Sequence, residues 1–173
     1  MHRFLSLLLA FLFVLAPVQA ESRLSILALN FPAFDLARSI AGETADVKML
    51  LPPGSESHSY EPTPQDIIAI QNADLFLYTG GASDTWVESI LASMGEKAPR
   101  TFRLSDSVTL LEEETSESMQ HVHVHDHDHC EDEEHHHHAE MDEHVWTSPK
   151  NMQPITAALC ETLCGLRPEN ATL

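Results

Sequence analysis

The chain has 173 residues, with 9 Lys+Arg against 27 Asp+Glu, 12 His, 3 Cys, 43% hydrophobic residues and a formal charge of -18. That length gives room for one domain and hardly two. Sparse basic residues exclude a nucleic-acid partner, because phosphate binding rests on clustered Lys and Arg that release counterions, and they disfavour anionic membrane surfaces for the same reason.

Arg3 precedes an apolar run over 4–16, followed by Pro17-Val18-Gln19-Ala20. These are the charged, apolar and small-residue regions of an export signal, so residues 1–20 are predicted to be a signal peptide cleaved after Ala20. An uncleaved anchor is the competing reading, but about 13 apolar residues fall short of the roughly 20 that span a bilayer. No Cys stands at the cleavage site to carry a lipid. The expectation is a periplasmic or secreted chain over 21–173, with no direct membrane insertion after cleavage.

From Leu24 short apolar runs alternate with helical stretches, the pattern of βαβ units and a parallel sheet. Residues 24–29 read as a buried strand, 32–41 as a helix closed by Gly42, and 47–51 as a second strand. The loop 52–62 follows and holds His58. Thr63 is predicted to cap a helix with Pro64 at its first position and Asp66 in its first turn, its stripe of Ile67, Ile68 and Ile70 facing a core. Residues 75–78 form a third strand ending at Gly80-Gly81. A helix over 86–94 then presents Val87, Ile90, Leu91 and Met94 on one face, and 101–104 reads as a short fourth strand. Order resumes at 144–146, and Ser148-Pro149 repeats the cap-plus-proline start for a helix towards Leu163, with Pro154 expected to kink or delay it. The fold class is therefore α/β, a parallel four-stranded sheet with flanking helices.

Charge and histidine concentrate in one place. Residues 112–143 hold 13 of the 27 acids and 9 of the 12 histidines, with no Lys or Arg. Residues 105–143 as a whole show no sustained periodicity and are too charged to bury, so most of that stretch is read as a mobile loop, its disordered His/acid-rich part at about 112–143. Its histidines are His121, His123, His125, His127, His129, His135, His136, His137 and His138. Imidazole with an unperturbed pKa near 6.5 is mostly neutral at pH 7 and offers lone pairs to borderline metals such as Zn2+, and the surrounding carboxylates lower the electrostatic cost of admitting a dication. Alternation fixes no four-ligand geometry, so the consequence is several interchangeable, labile sites; the bland alternative is a solvated linker. Cys130 within it could add a thiolate or pair oxidatively.

His58 and His144 differ, each standing alone in a loop after a strand or just before a helix. In open parallel sheets ligands sit outside the carboxyl ends of strands, where the His58 loop falls. Bottom-up, each is either a ligand or an incidental surface histidine. Cys160 and Cys164, at i and i+4 on the last helix, share a face and read as core packing. No His-Glu-x-x-His, Gly-x-Ser-x-Gly or phosphate-loop pattern supports an enzyme.

Three motifs in order carry a resemblance: Asn30-Phe31-Pro32-Ala33-Phe34-Asp35, then His58-Ser59-Tyr60-Glu61-Pro62-Thr63-Pro64-Gln65-Asp66, and, after the His-rich stretch, Asp142-Glu143-His144-Val145-Trp146-Thr147-Ser148-Pro149-Lys150-Asn151. Together they resemble the zinc/manganese solute-binding family, the substrate-binding proteins of metal-uptake ABC transporters. The resemblance implies two α/β lobes joined by a long helix, with metal in the cleft between them. It also implies that His58 and His144 are the ligands from the amino-terminal lobe, the other ligands coming from a carboxy-terminal lobe. Residues 21–173 are read as the amino-terminal lobe alone, the carboxy-terminal lobe being absent. The implied partner is a membrane permease with its cytoplasmic ATPase. The implied cargo is Zn2+ rather than Mn2+, because imidazole suits zinc while manganese favours carboxylate and water oxygens. The competing reading is a secreted or periplasmic zinc buffer acting through the His-rich loop alone.

Overall fold

The computed structural model describes residues 23–55, 57–111 and 141–170. The export signal read at 1–20 and the histidines of 121–138 lie outside these described residues.

Four strands, β1 (Leu24–Ala28), β2 (Ala45–Met49), β3 (Leu75–Tyr78) and β4 (Arg100–Arg103), pair in parallel in the order β2-β1-β3-β4. Their register sets Ile26 beside Val47 on one side and Leu75 on the other, with Leu75 in turn beside Arg100. β3 is buried at all four positions and β1 at all but Ser25, whereas the edge strands β2 and β4 each bury a single residue. A central parallel strand covered on both faces must be apolar throughout; an edge strand need not be.

Helices α1 (Phe31–Ala41), α2 (Pro64–Gln71), α3 (Thr85–Met94) and α4 (Pro149–Leu166) cover the two faces. Successive strand residues point to opposite layers. Accordingly Leu24, Ile26, Ala28, Leu75 and Leu77 join one core with Ala33 and Ala37 of α1 and with Ile155 and Leu159 of α4. Leu27, Phe76 and Tyr78 join the other, with Ile70 of α2 and Val87 of α3. Ala33, Ala37 and Ala41 recur every four residues, so the fully buried stripe of α1 is all alanine, with Phe34, Leu36 and Ile40 packing half-buried beside it.

The expected fold class stands, with local corrections. β2 starts and ends two residues before the apolar run suggests, because Leu50 and Leu51 stay buried beyond the strand. On α2 only Ile70 is buried and Ile68 is 55% exposed; three isoleucines so close in sequence cannot share one face of a 3.6-residue repeat. Pro154 does not break α4, which continues to Leu166. Pro154 is exposed, so the carbonyl its ring leaves without a partner can reach water while the neighbouring Ile155 stays anchored in the core. Ser148 occupies the cap position of α4 but makes no side-chain cap bond; its carbonyl accepts from the Asn151 and Met152 N–H groups. Cys160 and Cys164 are half-buried free thiols at the margin of the core rather than within it.

Candidate metal centre

All four strands run the same way, so the segments leaving their carboxyl ends gather at one edge. Asn30, leaving β1, caps α1 by accepting from the Ala33 N–H at 3.3 Å, and its amide donates to Thr79 Oγ1 beyond β3 at 2.9 Å. Gly80 follows with φ 78°, and a Cβ there would collide with the side chains of Arg103 and Ser105, so glycine is required on both counts.

His58 sits in a short 3-10 turn, Ser57–Ser59, in the long segment after β2. The loop is held by its far end. Asp66 Oδ2 accepts from the Thr63 N–H at 2.7 Å, the Thr63 hydroxyl at 2.7 Å and the Tyr60 hydroxyl at 2.8 Å, and Thr63 in return caps α2. Burial alone would raise the Asp66 carboxyl, but the hydrogen bonds from Thr63 and Tyr60 outweigh it and hold the group below its ordinary range. Burial and the same carboxylate push the Tyr60 phenol up to about 12, so it remains a donor, and its ring packs on Trp86 of α3 at 5.8 Å. Asp66→Ala is expected to cost about 1 kcal/mol of stability near neutral pH by removing the capping box. A group depressed in the folded state stabilises above its unfolded pKa and loses that contribution as pH falls through the folded value, so the difference should shrink in acid, as unfolding curves at several pH values would register.

His144 stands just before α4. Its N–H donates to Asp142 Oδ1 at 2.8 Å, and its Nδ1 lies 3.0 Å from the same oxygen. Those two bonds from His144 lower the Asp142 carboxyl. With the proton on Nδ1 and shared with Asp142, Nε2 keeps the lone pair a metal needs, the arrangement in which a carboxylate orients a ligating imidazole. The ring also meets Trp146 edge-on at 5.2 Å.

Glu143 links the two histidines. It is buried, its Oε2 accepts from the Ser83 N–H at 3.0 Å, and its Oε1 lies 3.4 Å from His58 Nε2. Gly81 makes room for it, since a Cβ there would run into the Glu143 side chain. Ser83 is placed by Asp84, whose Oδ2 accepts from the Thr79 and Gly80 N–H groups at 3.0 and 2.9 Å. Burial pushes the Asp84 carboxyl up; the Gly80 N–H pulls the other way and the Glu143 charge adds to the rise.

The structure thus brings His58 into contact with Glu143, and pairs His144, the next residue, with Asp142. Among the described residues no group of three or more His, Cys, Asp or Glu side chains is placed to hold a metal ion. The histidines at 121, 123, 125, 127, 129 and 135–138, and Cys130, lie outside the described residues. The Asp142 N–H donates to the Leu111 carbonyl at 2.8 Å, so the chain leaves for 112–140 and returns from it at one point, two residues from His144. Sequence reasoning passed over Asp142, Glu143 and Asp84. The first two are lost among the acids of 112–143, and the third carries no spacing signal.

A family profile described as zinc-uptake complex component A, periplasmic, matches residues 26–173. The chain belongs to that family. Among relatives in this zinc-uptake family, the zinc-binding lipoprotein AdcA of Streptococcus pneumoniae is 38% identical over 87% of this chain and 28% of its own length. The high-affinity zinc uptake system protein ZnuA of Bacillus subtilis is 36% identical over 79% of this chain and 41% of its own. The crystal structure of Zn(II)-bound AdcA from Streptococcus pneumoniae superposes with a TM-score of 0.67 at 26% identity, over 87% of this chain and 28% of that one. The chain therefore spans between about a quarter and two fifths of the length of these relatives.

Proposed function

We propose that this chain is the amino-terminal, metal-capturing lobe of an extracytoplasmic zinc-binding protein that hands Zn2+ to an ABC permease driven by a cytoplasmic ATPase. The observation that carries this is the placement of His58 and His144 on separate loops at the carboxyl edge of one parallel sheet, each with a carboxylate at one ring nitrogen. Family membership and relatives named for zinc binding and zinc uptake support it. Two imidazoles on a rigid edge suit zinc better than manganese. A tetrahedral shell needs further donors, which in this reading a carboxy-terminal lobe supplies across a cleft. The role is capture and release, without chemistry on the cargo. It is carried out outside the cytoplasmic membrane after removal of residues 1–20.

The density of imidazoles in 121–138 favours a second, subordinate activity, the collection of zinc at weak sites along that tract. Because the ends of that insertion meet at Leu111 and Asp142, shortening it leaves the core untouched. A chain lacking 121–138 is expected to keep one tight zinc site and to lose most of the weak ones in a titration against a chelating competitor. Loss of the tight site on that deletion would show instead a buffer acting through the tract alone.

A further inference from the structure

We propose that Glu143 is a metal ligand as well, its Oε1 binding the same Zn2+ as His58 Nε2, so that this lobe supplies three donors rather than two. The proposal rests on the zinc-capture reading above. Its first support is distance. The 3.4 Å between Glu143 Oε1 and His58 Nε2 is longer than a good N–H···O bond. Two ligands of a tetrahedral zinc ion with bonds of about 2.1 Å stand roughly 3.4 Å apart, so the two atoms already lie along one edge of such a shell.

The second support is charge. The Glu143 side chain is 10% exposed, and Oε1 makes no hydrogen bond among the described residues while Oε2 is held by Ser83. Asp84, also buried, adds a second carboxyl beside it. Among the described residues no Lys or Arg pairs with either acid. Buried carboxylates without a cationic partner are what a divalent ion compensates. The third support is positioning: the Ser83 N–H and the space left by Gly81 hold this carboxylate, and Asp142 Oδ1 holds the N–H and ring of its neighbour His144. His58 Nε2 and Glu143 Oε1 would then hold one edge of the shell, and His144, next to Glu143 in the chain, would have to turn its Nε2 towards the bound ion to become the third donor.

The test is zinc affinity, by chelator competition, of the full chain beside Glu143→Gln, His58→Ala and Glu143→Asp, with the visible spectrum of the Co2+ form as a readout of coordination. Glutamine can still accept from the Ser83 N–H, so its unfolding curve without metal should match the parent. The expected result is a tight site weakened by at least about 10-fold in both Glu143→Gln and His58→Ala, together with an altered Co2+ spectrum, which separates loss of a donor from loss of a carboxylate that only orients one. Parent affinity and spectrum in Glu143→Gln, with loss in His58→Ala, would overturn the proposal and leave zinc capture standing. Parent affinity in both would overturn the two together. Should Glu143→Gln not fold, Glu143→Asp decides, since a side chain shorter by one methylene withdraws the oxygen while keeping its charge: weakening supports the proposal and parent affinity overturns it.

Discussion

Changing both His58 and His144 to Ala is expected to weaken the tight zinc site by at least about 100-fold, because a full zinc shell is worth roughly 10–16 kcal/mol and two of its imidazoles are then gone. The fold should survive, since the two side chains are 55% and 47% exposed and neither belongs to a core cluster. The weaker sites of 121–138 should remain, so the number of zinc ions bound at high concentration stays close to that of the parent. Competition against a high-affinity chelator separates the two classes. Parent-like tight binding in the double variant would mean that the two histidines are surface residues and that zinc binding belongs to the tract.

Asp84→Ala is expected to cost about 2–5 kcal/mol of stability, because it strips the acceptor from two buried backbone N–H groups at once. Asp84 is 1% exposed and its Oδ2 serves both Thr79 and Gly80, closing the turn that leaves β3. Asp84→Asn keeps a carbonyl oxygen for both donors and removes a desolvated charge, so its loss should stay below about 1 kcal/mol. Urea unfolding of the three chains distinguishes the two effects. An alanine variant within experimental error of the parent would show that water reaches these N–H groups and that Asp84 does not pin the turn. The turn matters to the candidate metal centre because it places the Ser83 N–H that holds Glu143.

Much of the fold is legible along the chain. The limits of β3 match the apolar run at 75–78, which Asp74 and Thr79-Gly80 bound on either side, and the capping of α2 by Thr63 follows from Thr-Pro-x-Asp spacing. Errors fall where local pattern competes with packing. Leu50 and Leu51 extend an apolar run past its strand, Ile68 turns outward, and Pro154 is carried through α4 on its exposed side. The metal centre is legible only in part. His58 and His144 stand out because each is isolated in an ordered context, while Glu143 and Asp142 are hidden in a run of like charges.

By itself the sequence determined the alternation of strands and helices, the parallel sheet it implies and the two histidines worth testing, because period and composition are local properties. Only the tertiary structure decided that Glu143, 85 residues from His58 along the chain, comes within 3.4 Å of its Nε2 and accepts from the Ser83 N–H. Which carboxylate a histidine meets depends on how three separate loops converge at the end of a sheet, and no local spacing records that convergence.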